Sequence, residues 1–305
     1  MSVRLSRLAG GLQAVALSAE QRERRRRARF WRRARTEVGV LGVVDLRGNS
    51  FLVSTADRAV GRELFLRRGF DSELVDNVTR LLASCGFEPA QVIDVGANVG
   101  TVTIDLLSRF PRATGVAFEP DETNFRLLRQ NILGNGMEER VDARRAAISD
   151  HDGSALLELS TDNFGDHRVR VGEASRGDYG EELRLTRSVP AWRLDTLLAE
   201  GRLTLDVPTL AWVDVQGHEA QLLDGAAGLR EVPVVLEVWP YGLRRAGGYE
   251  RLQELLLGWA SVVEVRGGTR PVERSRMAAF FEEVEARPVE PFTDLLLLPG
   301  GLTGC

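Results

Sequence analysis

Residues 91–120 read QVIDVGANVGTVTIDLLSRFPRATGVAFEP. An apolar run leads into Asp94, and a turn follows with glycines at positions 96 and 100. A segment with helical spacing then leads to a second apolar run that ends at Glu119. This layout is typical of a βαβ unit that holds a ribose-bearing cofactor at the carboxyl ends of its strands. It predicts which edge of the sheet carries the chemistry.

The turn favours one class of cofactor over another. Its spacing is G-x-N-x-G rather than the dinucleotide fingerprint G-x-G-x-x-G. Asp94 would repel a pyrophosphate but attract an ammonium or a sulfonium group. Glu119, at the end of the second strand, can accept two hydrogen bonds from a ribose diol. The stretch therefore favours S-adenosylmethionine over NAD.

Roles follow for the residues around this turn. We expect Asp94 to face the amino group of the cofactor and Glu119 to hold the ribose hydroxyls. The other predicted cofactor-binding residues frame the methionine and ribose portion or border the adenine, and they are Gly96, Ala97, Asn98, Gly100, Pro120, Ala147 and Ile148.

Composition limits the remaining function classes. The chain has 305 residues, of which 43% are hydrophobic, enough for one large core or two modest ones. Its purely apolar runs, such as residues 295–298, are far too short to span a bilayer. Two cysteines are too few for a framework of disulfides or a metal cluster. We therefore expect a cytoplasmic protein.

The charge is unevenly distributed. Residues 20–37 hold nine arginines and three glutamates, a net charge of +6, so the rest of the chain carries -4 - 6 = -10. Residues 1–40 are predicted to form an arginine-rich helix or flexible arm. We interpret it as a solvated or partner-packing helix, with a membrane-surface helix or a nucleic-acid arm as alternatives. An acidic body predicts no nucleic-acid surface on the core.

The remaining segments alternate between strand and helix patterns. Residues 41–88 are predicted to form a hairpin and a helical cap, and residues 89–305 a doubly wound α/β domain with a mostly parallel sheet. Residues 141–149 are interpreted as its third strand. Residues 150–208 interrupt the rhythm and are interpreted as an inserted β-meander over the working edge, where an acceptor would bind.

Several motifs in the same order resemble the FkbM family of S-adenosylmethionine-dependent methyltransferases. They are IDVGANVG at 93–100, FEP at 118–120, AAISD at 146–150, NFGDHR at 163–168 and VDVQGHE at 213–219. The resemblance covers residues 64–299. It implies a class I methyltransferase (Rossmann-like) sheet of seven strands with the last strand antiparallel. It also implies O-methylation of a hydroxyl on a sugar, glycolipid or natural product, so we expect a small-molecule or glycoside acceptor.

A hydroxyl acceptor must lose a proton, so a base or a metal is needed. Asp214 and Glu237 end or nearly end two predicted strands and would crowd the same edge. His218 assisted by Asp214 is the favoured base, because an unperturbed histidine titrates near neutral pH. As an alternative, Asp214 and Glu237 hold a Mg²⁺-like ion. Acceptor recognition is assigned to the inserted segment, through Asp166, His167 and Arg168.

Two other functions stay open at this point. One is an NAD-dependent oxidoreductase on a related sheet, against which the missing fingerprint counts. The other is a non-catalytic binding protein that uses the arginine-rich arm.

Overall fold

The structure, a computed structural model, describes residues 18–172 and 177–302. Its elements fall into an N-terminal cap, a large central sheet with helices on both faces, and a small second sheet. The cap comprises α1 (Ala19–Glu37), β1 (Val40–Val44), β2 (Ser50–Ser54), α2 (Val60–Arg67) and α3 (Ser72–Ser84).

The arginine-rich segment is a helix from residue 19 onward, while residues 1–17 lie outside the described part. A capping box starts the helix α1, since the Ser18 hydroxyl accepts from the Gln21 amide and the Gln21 side chain accepts from the Ser18 amide. Trp31 and Ala34 are buried. The Trp31 ring lies 5.3 Å from that of Phe65 on α2. The helix is thus held by tertiary packing as well as by its cap.

The rest of the described chain alternates between strands and helices. In chain order the elements are β3 (Gln91–Val95), α4 (Thr101–Arg109), β4 (Thr114–Phe118), α5 (Glu122–Gly134), β5 (Val141–Arg144), β6 (Ala147–Ile148), β7 (Gly153–Leu159), β8 (Arg168–Val169), β9 (Leu185–Trp192), α6 (Leu194–Ala199), β10 (Thr209–Val213), α7 (Glu219–Asp224), β11 (Val234–Val238), α8 (Pro240–Arg245), α9 (Tyr249–Leu256), β12 (Ser261–Glu264), β13 (Arg270–Pro271), α10 (Met277–Glu285) and β14 (Thr293–Leu298).

The central sheet has the spatial order β13-β12-β14-β11-β10-β3-β4-β5. Strand β14 runs antiparallel to both β11 and β12, and the pairs among β11, β10, β3, β4 and β5 are parallel. The predicted doubly wound sheet with an antiparallel last strand is therefore confirmed. An eighth strand, the two-residue β13, extends the β12 edge beyond the seven strands predicted.

Alternation along the strands divides the core into two layers. Val92, Leu210 and Val235 belong to the layer formed with α3, α4 and α5. Ile93 and Val213 belong to the opposite layer, formed with α6 to α10. Both faces of β3 and β10 are buried, which explains why their sequences are mostly apolar and do not alternate between apolar and polar residues.

The hairpin β1–β2 is attached to the same body. Asn131 on α5 accepts a hydrogen bond from the Leu52 amide at 2.6 Å, and Asn135 accepts one from the Ser50 amide at 2.9 Å. Phe51 and Val53 belong to the hydrophobic cluster that covers one face of the central sheet. The hairpin therefore shares its core with the central sheet.

The inserted segment forms a second sheet in the order β6-β9-β7-β8. The predicted third strand over residues 141–149 is wrong in one respect. Its first part is β5 of the central sheet, and its second part leaves that sheet to pair with β9 as β6. Arg144 and Arg145 interrupt the apolar pattern at the point where the chain changes sheets. Among the described residues, no helix combines the length and apolar character that a membrane span requires.

Candidate functional site

A cavity of about 1100 Å³ lies at the carboxyl ends of β3, β10 and β11, between α2 and the inserted segment. A smaller one of about 40 Å³ lies beside it, between the ends of β3 and β4 and the second sheet. Gly96, Asn98, Asp214 and Gln216 border both spaces. The working edge predicted from residues 91–120 is thus the edge that carries the cavities.

The glycine turn after β3 is fixed by its neighbours. The amides of Gly96 and Ala97 donate to the Phe118 carbonyl at 3.0 and 2.9 Å. Gly96 has a φ of +90°, and an added Cβ would lie 1.8 Å from the carbonyl oxygen of Asp214. Gly100 has a φ of +91°, and its Cβ would lie 2.8 Å from Leu128 on α5. Side chains at either position would push apart the strand end, the helix and Asp214.

Glu119 is placed where a ribose-binding acid is expected. It is buried, and its two oxygens accept from the amides of Asn98 at 2.9 Å and Asp121 at 2.7 Å. Each oxygen keeps a second lone pair that can accept from a diol. Burial raises the pKa of Glu119 to about 8. The small cavity brings Glu119 together with Pro120, Ala147 and Ile148, three of the residues predicted to bind the cofactor.

Asn124 adds another polar group to the small cavity. Its amide nitrogen donates to the Phe164 carbonyl at 2.8 Å, which orients the side chain. Its Oδ1 is buried in the wall of the small cavity and has no partner among the described residues. A buried acceptor without a partner is costly unless a ligand supplies a donor, and the exocyclic amine of adenine is such a donor.

Asp94 borders the large cavity and accepts a hydrogen bond from the Thr103 hydroxyl. Burial raises its pKa to about 7, and the charge of Asp214 adds to that shift. A cation beside it would stabilise the ionised carboxylate. The described residues thus offer an acid for an ammonium or sulfonium, an acid for a diol and an acceptor for an amine, which fits S-adenosylmethionine.

The two carboxylates predicted to crowd the edge do so. Gln216 bridges them, since its Nε2 donates to Asp214 at 2.6 Å and to Glu237 at 2.8 Å. Gln216 has a φ of 54°, a left-handed backbone conformation that residues other than glycine seldom adopt. The sequence gives no signal that this glutamine is the bridging donor.

Burial raises the pKa values of both carboxylates of this pair. It raises the pKa of Asp214 to about 6 and that of Glu237 well above its ordinary value, with the Asp214 charge as the next cause for Glu237. Asp294, which faces Glu237 in the neighbouring strand, has a pKa raised to about 7 by burial. Its ion pair with Arg266 opposes that shift. A carboxylate held near neutral pKa in a cavity is suited to accept a proton.

The structure places His218 away from this pair, and the prediction that it acts as the base is not supported. His218 borders neither cavity and is buried at the start of α7. Its Nε2 lies 2.9 Å from the Ser149 hydroxyl. Desolvation lowers its pKa to about 4. Its neighbour Glu219 also points inward, where it accepts from the amides of Val215 and Gly217 and holds the loop after β10.

The predicted metal site finds no support in the arrangement of donors. Within residues 18–172 and 177–302, no three His, Cys, Asp or Glu side chains are grouped to hold a metal ion. One oxygen of each carboxylate, Asp214 and Glu237, instead accepts a hydrogen bond from Gln216.

The predicted acceptor-binding triplet separates into three environments. Asp166 borders the large cavity and His167 the small one, where the His167 Nδ1 accepts from the Ser160 amide at 3.0 Å. Arg168 is buried outside both, paired with Asp166 and with Glu181 at 2.9 Å. Its guanidinium lies 4.4 Å from the centre of the Trp239 ring. Arg168 is therefore not available to grip an acceptor, because it borders neither cavity and each of its nitrogens already donates to an acid.

Comparison with known proteins agrees with these features. Residues 94–242 match the family model of the methyltransferase FkbM domain. No curated protein sequence matches the chain.

Solved structures with similar folds include the following two proteins. A precorrin-6y C5,15-methyltransferase from Geobacter metallireducens shares 10% sequence identity, with 74% of this chain and 87% of that one covered and a TM-score of 0.38. TYW2 from Pyrococcus horikoshii, in complex with MeSAdo, shares 12% identity over 85% of this chain and 70% of that one, with a TM-score of 0.33. The family match decides against an NAD-dependent oxidoreductase and against a non-catalytic binding protein. The chain contains an FkbM methyltransferase domain and is a methyltransferase.

Proposed function

We propose that the protein transfers a methyl group from S-adenosylmethionine to a hydroxyl oxygen of a neutral, polyhydroxylated small molecule or glycoside. The observation that carries this proposal is the buried pair Asp214 and Glu237 in the wall of the large cavity, beside the glycine turn. A hydroxyl acceptor needs a group that takes its proton, whereas a neutral amine can attack without one.

The cofactor supplies an activated methyl group on a sulfonium. In the proposed arrangement Glu119 accepts from the ribose hydroxyls, Asn124 accepts from the adenine amine, and Asp94 faces the positive charge. The small cavity of about 40 Å³ has room for roughly three water molecules, at about 10–15 Å³ each, and is too small for an adenosyl group. We expect the segment that carries Phe164 and His167 to move outward when the adenosyl group binds.

The transfer itself is an in-line displacement. The acceptor oxygen forms a bond to the methyl carbon while the carbon–sulfur bond breaks, and the hydroxyl proton passes to the Asp214–Glu237 pair. Gln216 donates to both carboxylates and so fixes their separation and orientation. Positioning the acceptor in this geometry supplies much of the rate.

The walls of the large cavity support a neutral acceptor. Each of its three arginines is already paired with an acid: Arg67 with Glu63, Arg184 with Asp166, and Arg266 with Asp294 and Asp71. The described part of the wall thus has no spare cation for a carboxylate or phosphate on the acceptor.

Two aromatic rings in the wall of the large cavity can pack against the apolar faces of an acceptor. The Trp239 and Tyr179 rings lie 5.6 Å apart in an edge-to-face arrangement, and both border the large cavity. Aromatic faces next to carboxylates suit a polyol, which has apolar C–H faces and hydroxyl donors.

The proposal is tested with cofactor labelled on the methyl group. Wild-type protein is incubated with separate pools of neutral glycosides, carboxylic acids and amines, and labelled products are treated with alkali. We expect label in the neutral glycoside pool as an alkali-stable methyl ether. Label that appears only in amines, or only as an alkali-labile ester of an acid, would refute the proposal. Asp214→Asn serves as the control that separates enzymatic from spontaneous methylation.

A further inference from the structure

The outer face of α1 carries arginines that the described structure leaves unpaired. Arg25, Arg29 and Arg32 recur at i, i+4 and i+7, so they share one face of the helix. All three are exposed, and no described carboxylate lies within ion-pair distance of them. We call these three residues the arginine stripe.

The opposite face of the same helix holds it to the body. Arg27, Trp31 and Ala34 recur at the same spacing, two positions away from the stripe. Arg27 donates to the Phe65 carbonyl at 2.6 Å, and Trp31 is buried against α2. The stripe therefore points away from the protein on a fixed helix.

The hairpin that follows α1 directly has an exposed apolar face. Its inward residues Val43, Phe51 and Val53 are buried, and by alternation its other face points outward. Val44 on that face is 50% exposed, and Leu46 in the turn is 75% exposed. Exposed apolar side chains next to a basic helix are what a peripheral membrane surface presents.

The uneven distribution of charge indicates that the N-terminal end of the protein would face an anionic surface. The segment 20–37 carries +6 and the remainder of the chain -10. An anionic plane would attract this end and repel the rest, which orients the molecule. A nucleic acid would use the arginines but would gain little from Val44 and Leu46, because phosphate contacts are electrostatic. The combination favours lipid.

From these features we propose that the arginine stripe and the outer face of the hairpin dock the protein on an anionic lipid surface. Helix α1 packs on α2, and Val60, Glu63 and Arg67 of α2 form part of the wall of the large cavity. Docking would therefore hold the cavity close to the bilayer. This proposal does not depend on the nature of the methyl acceptor.

The test is co-sedimentation of the full chain with vesicles of phosphatidylcholine alone and of phosphatidylcholine with one third phosphatidylglycerol. We expect binding to the anionic vesicles only, and weaker binding at high salt. The triple variant Arg25→Gln, Arg29→Gln and Arg32→Gln should bind at least about tenfold more weakly. The control is Arg112→Gln, Arg126→Gln and Arg129→Gln, which removes three exposed arginines outside the stripe, one from the loop after α4 and two from α5, and should bind like the wild type.

A second pair of variants separates lipid from simple charge attraction. Leu46→Ser should weaken vesicle binding, whereas Leu185→Ser, which changes an equally exposed leucine in the second sheet, should not. No binding to anionic vesicles, or equal losses in the stripe and control triples, would overturn the proposal. Tighter binding of the wild-type protein to a labelled oligonucleotide than to the anionic vesicles would also overturn the proposal.

Discussion

At the scale of single residues, the Asp214–Glu237 pair is the feature on which turnover should depend. Asp214→Asn and Glu237→Gln each keep the shape of the side chain but cannot accept the proton. We expect each change to lower kcat by about 10²–10⁴, the usual contribution of a general base. Affinity for S-adenosylhomocysteine should change little. Steady-state kinetics and calorimetry on the same preparations measure the two quantities.

The same pair predicts the direction of the pH dependence. A base must be ionised, and burial raises the pKa of Asp214 to about 6. The rate should therefore fall as the pH drops through about 6, with apparent values that belong to the pair rather than to one residue. Equal kinetics for wild type and both amide variants would remove these carboxylates from the reaction.

For His218 we predict an effect on stability and not on turnover, because its side chain lies outside the cavities and contacts Ser149. His218→Ala should lower the free energy of unfolding by about 1–3 kcal/mol, since the change leaves a void and removes the buried hydrogen bond to Ser149. Below the unfolding transition kcat should stay near the wild-type value. Chemical denaturation and kinetics measure the two effects. A loss of turnover of a hundredfold or more with unchanged stability would restore His218 as the base.

At the scale of elements, the turn between β3 and α4 depends on the close approach of Gly96 to Asp214. Gly96→Ala adds a Cβ that would lie 1.8 Å from a backbone oxygen, at a φ of +90°. We expect a loss of about 2 kcal/mol or more in the free energy of unfolding, together with weaker cofactor binding. The measurement is urea denaturation followed by circular dichroism.

A matched glycine on a neighbouring element serves as the control. Gly134, at the end of α5, has open space around its Cβ position and no left-handed backbone. Gly134→Ala should be neutral or slightly stabilising, because alanine favours the helix. Similar behaviour of the two variants would mean that the approach of Gly96 to Asp214 does not matter.

Elements built on local pattern could be predicted from the sequence, and those that depend on distant partners could not. The strands β3 and β4 and the turn between them follow from apolar runs, glycines and terminal acids within thirty residues. The departure of β6 from the central sheet depends on pairing with β9, more than forty residues later. Periodicity alone carries no information on that partner.

The site shows the same division. Asp94, Glu119 and Asp214 come at the ends of apolar runs, so their position at the sheet edge follows from the fold class. Gln216 and His218 are two residues apart in one motif, yet one bridges the carboxylates and the other is buried against Ser149. The conformation of the loop after β10 decides which side chain faces the cavity.

At the scale of the whole molecule, buried acids should make the folded state less stable as the pH rises. Burial raises the pKa of Asp94, Glu219 and Asp294 to about 7 and that of Glu119 to about 8. An acid whose pKa is raised on folding stabilises the folded state at pH below its ordinary value. That contribution is lost as the pH rises through the raised value.

The cofactor-free protein should therefore have a Tm that falls by several degrees between pH 5.5 and 8.5. Scanning calorimetry across this range measures it, and S-adenosylhomocysteine should reduce the fall because in the proposed arrangement its ammonium stabilises ionised Asp94. Glu119→Gln should flatten the curve, whereas Glu285→Gln should not, because the pKa of Glu285 is lowered by its hydrogen bond to Arg244. A Tm that rises with pH over this range would contradict the burial of these acids.

The most direct measurement is calorimetry of S-adenosylhomocysteine binding to wild type, Glu119→Gln and Glu122→Gln at pH 8.5. Glu119 borders the small cavity, whereas Glu122 pairs with Arg126 on the surface of α5. We predict that Glu119→Gln weakens binding by about 1–3 kcal/mol, from the loss of charge-assisted hydrogen bonds to the ribose, and that Glu122→Gln binds like the wild type. No binding by the wild type, or equal affinities for wild type and Glu119→Gln, would contradict the proposed cofactor site.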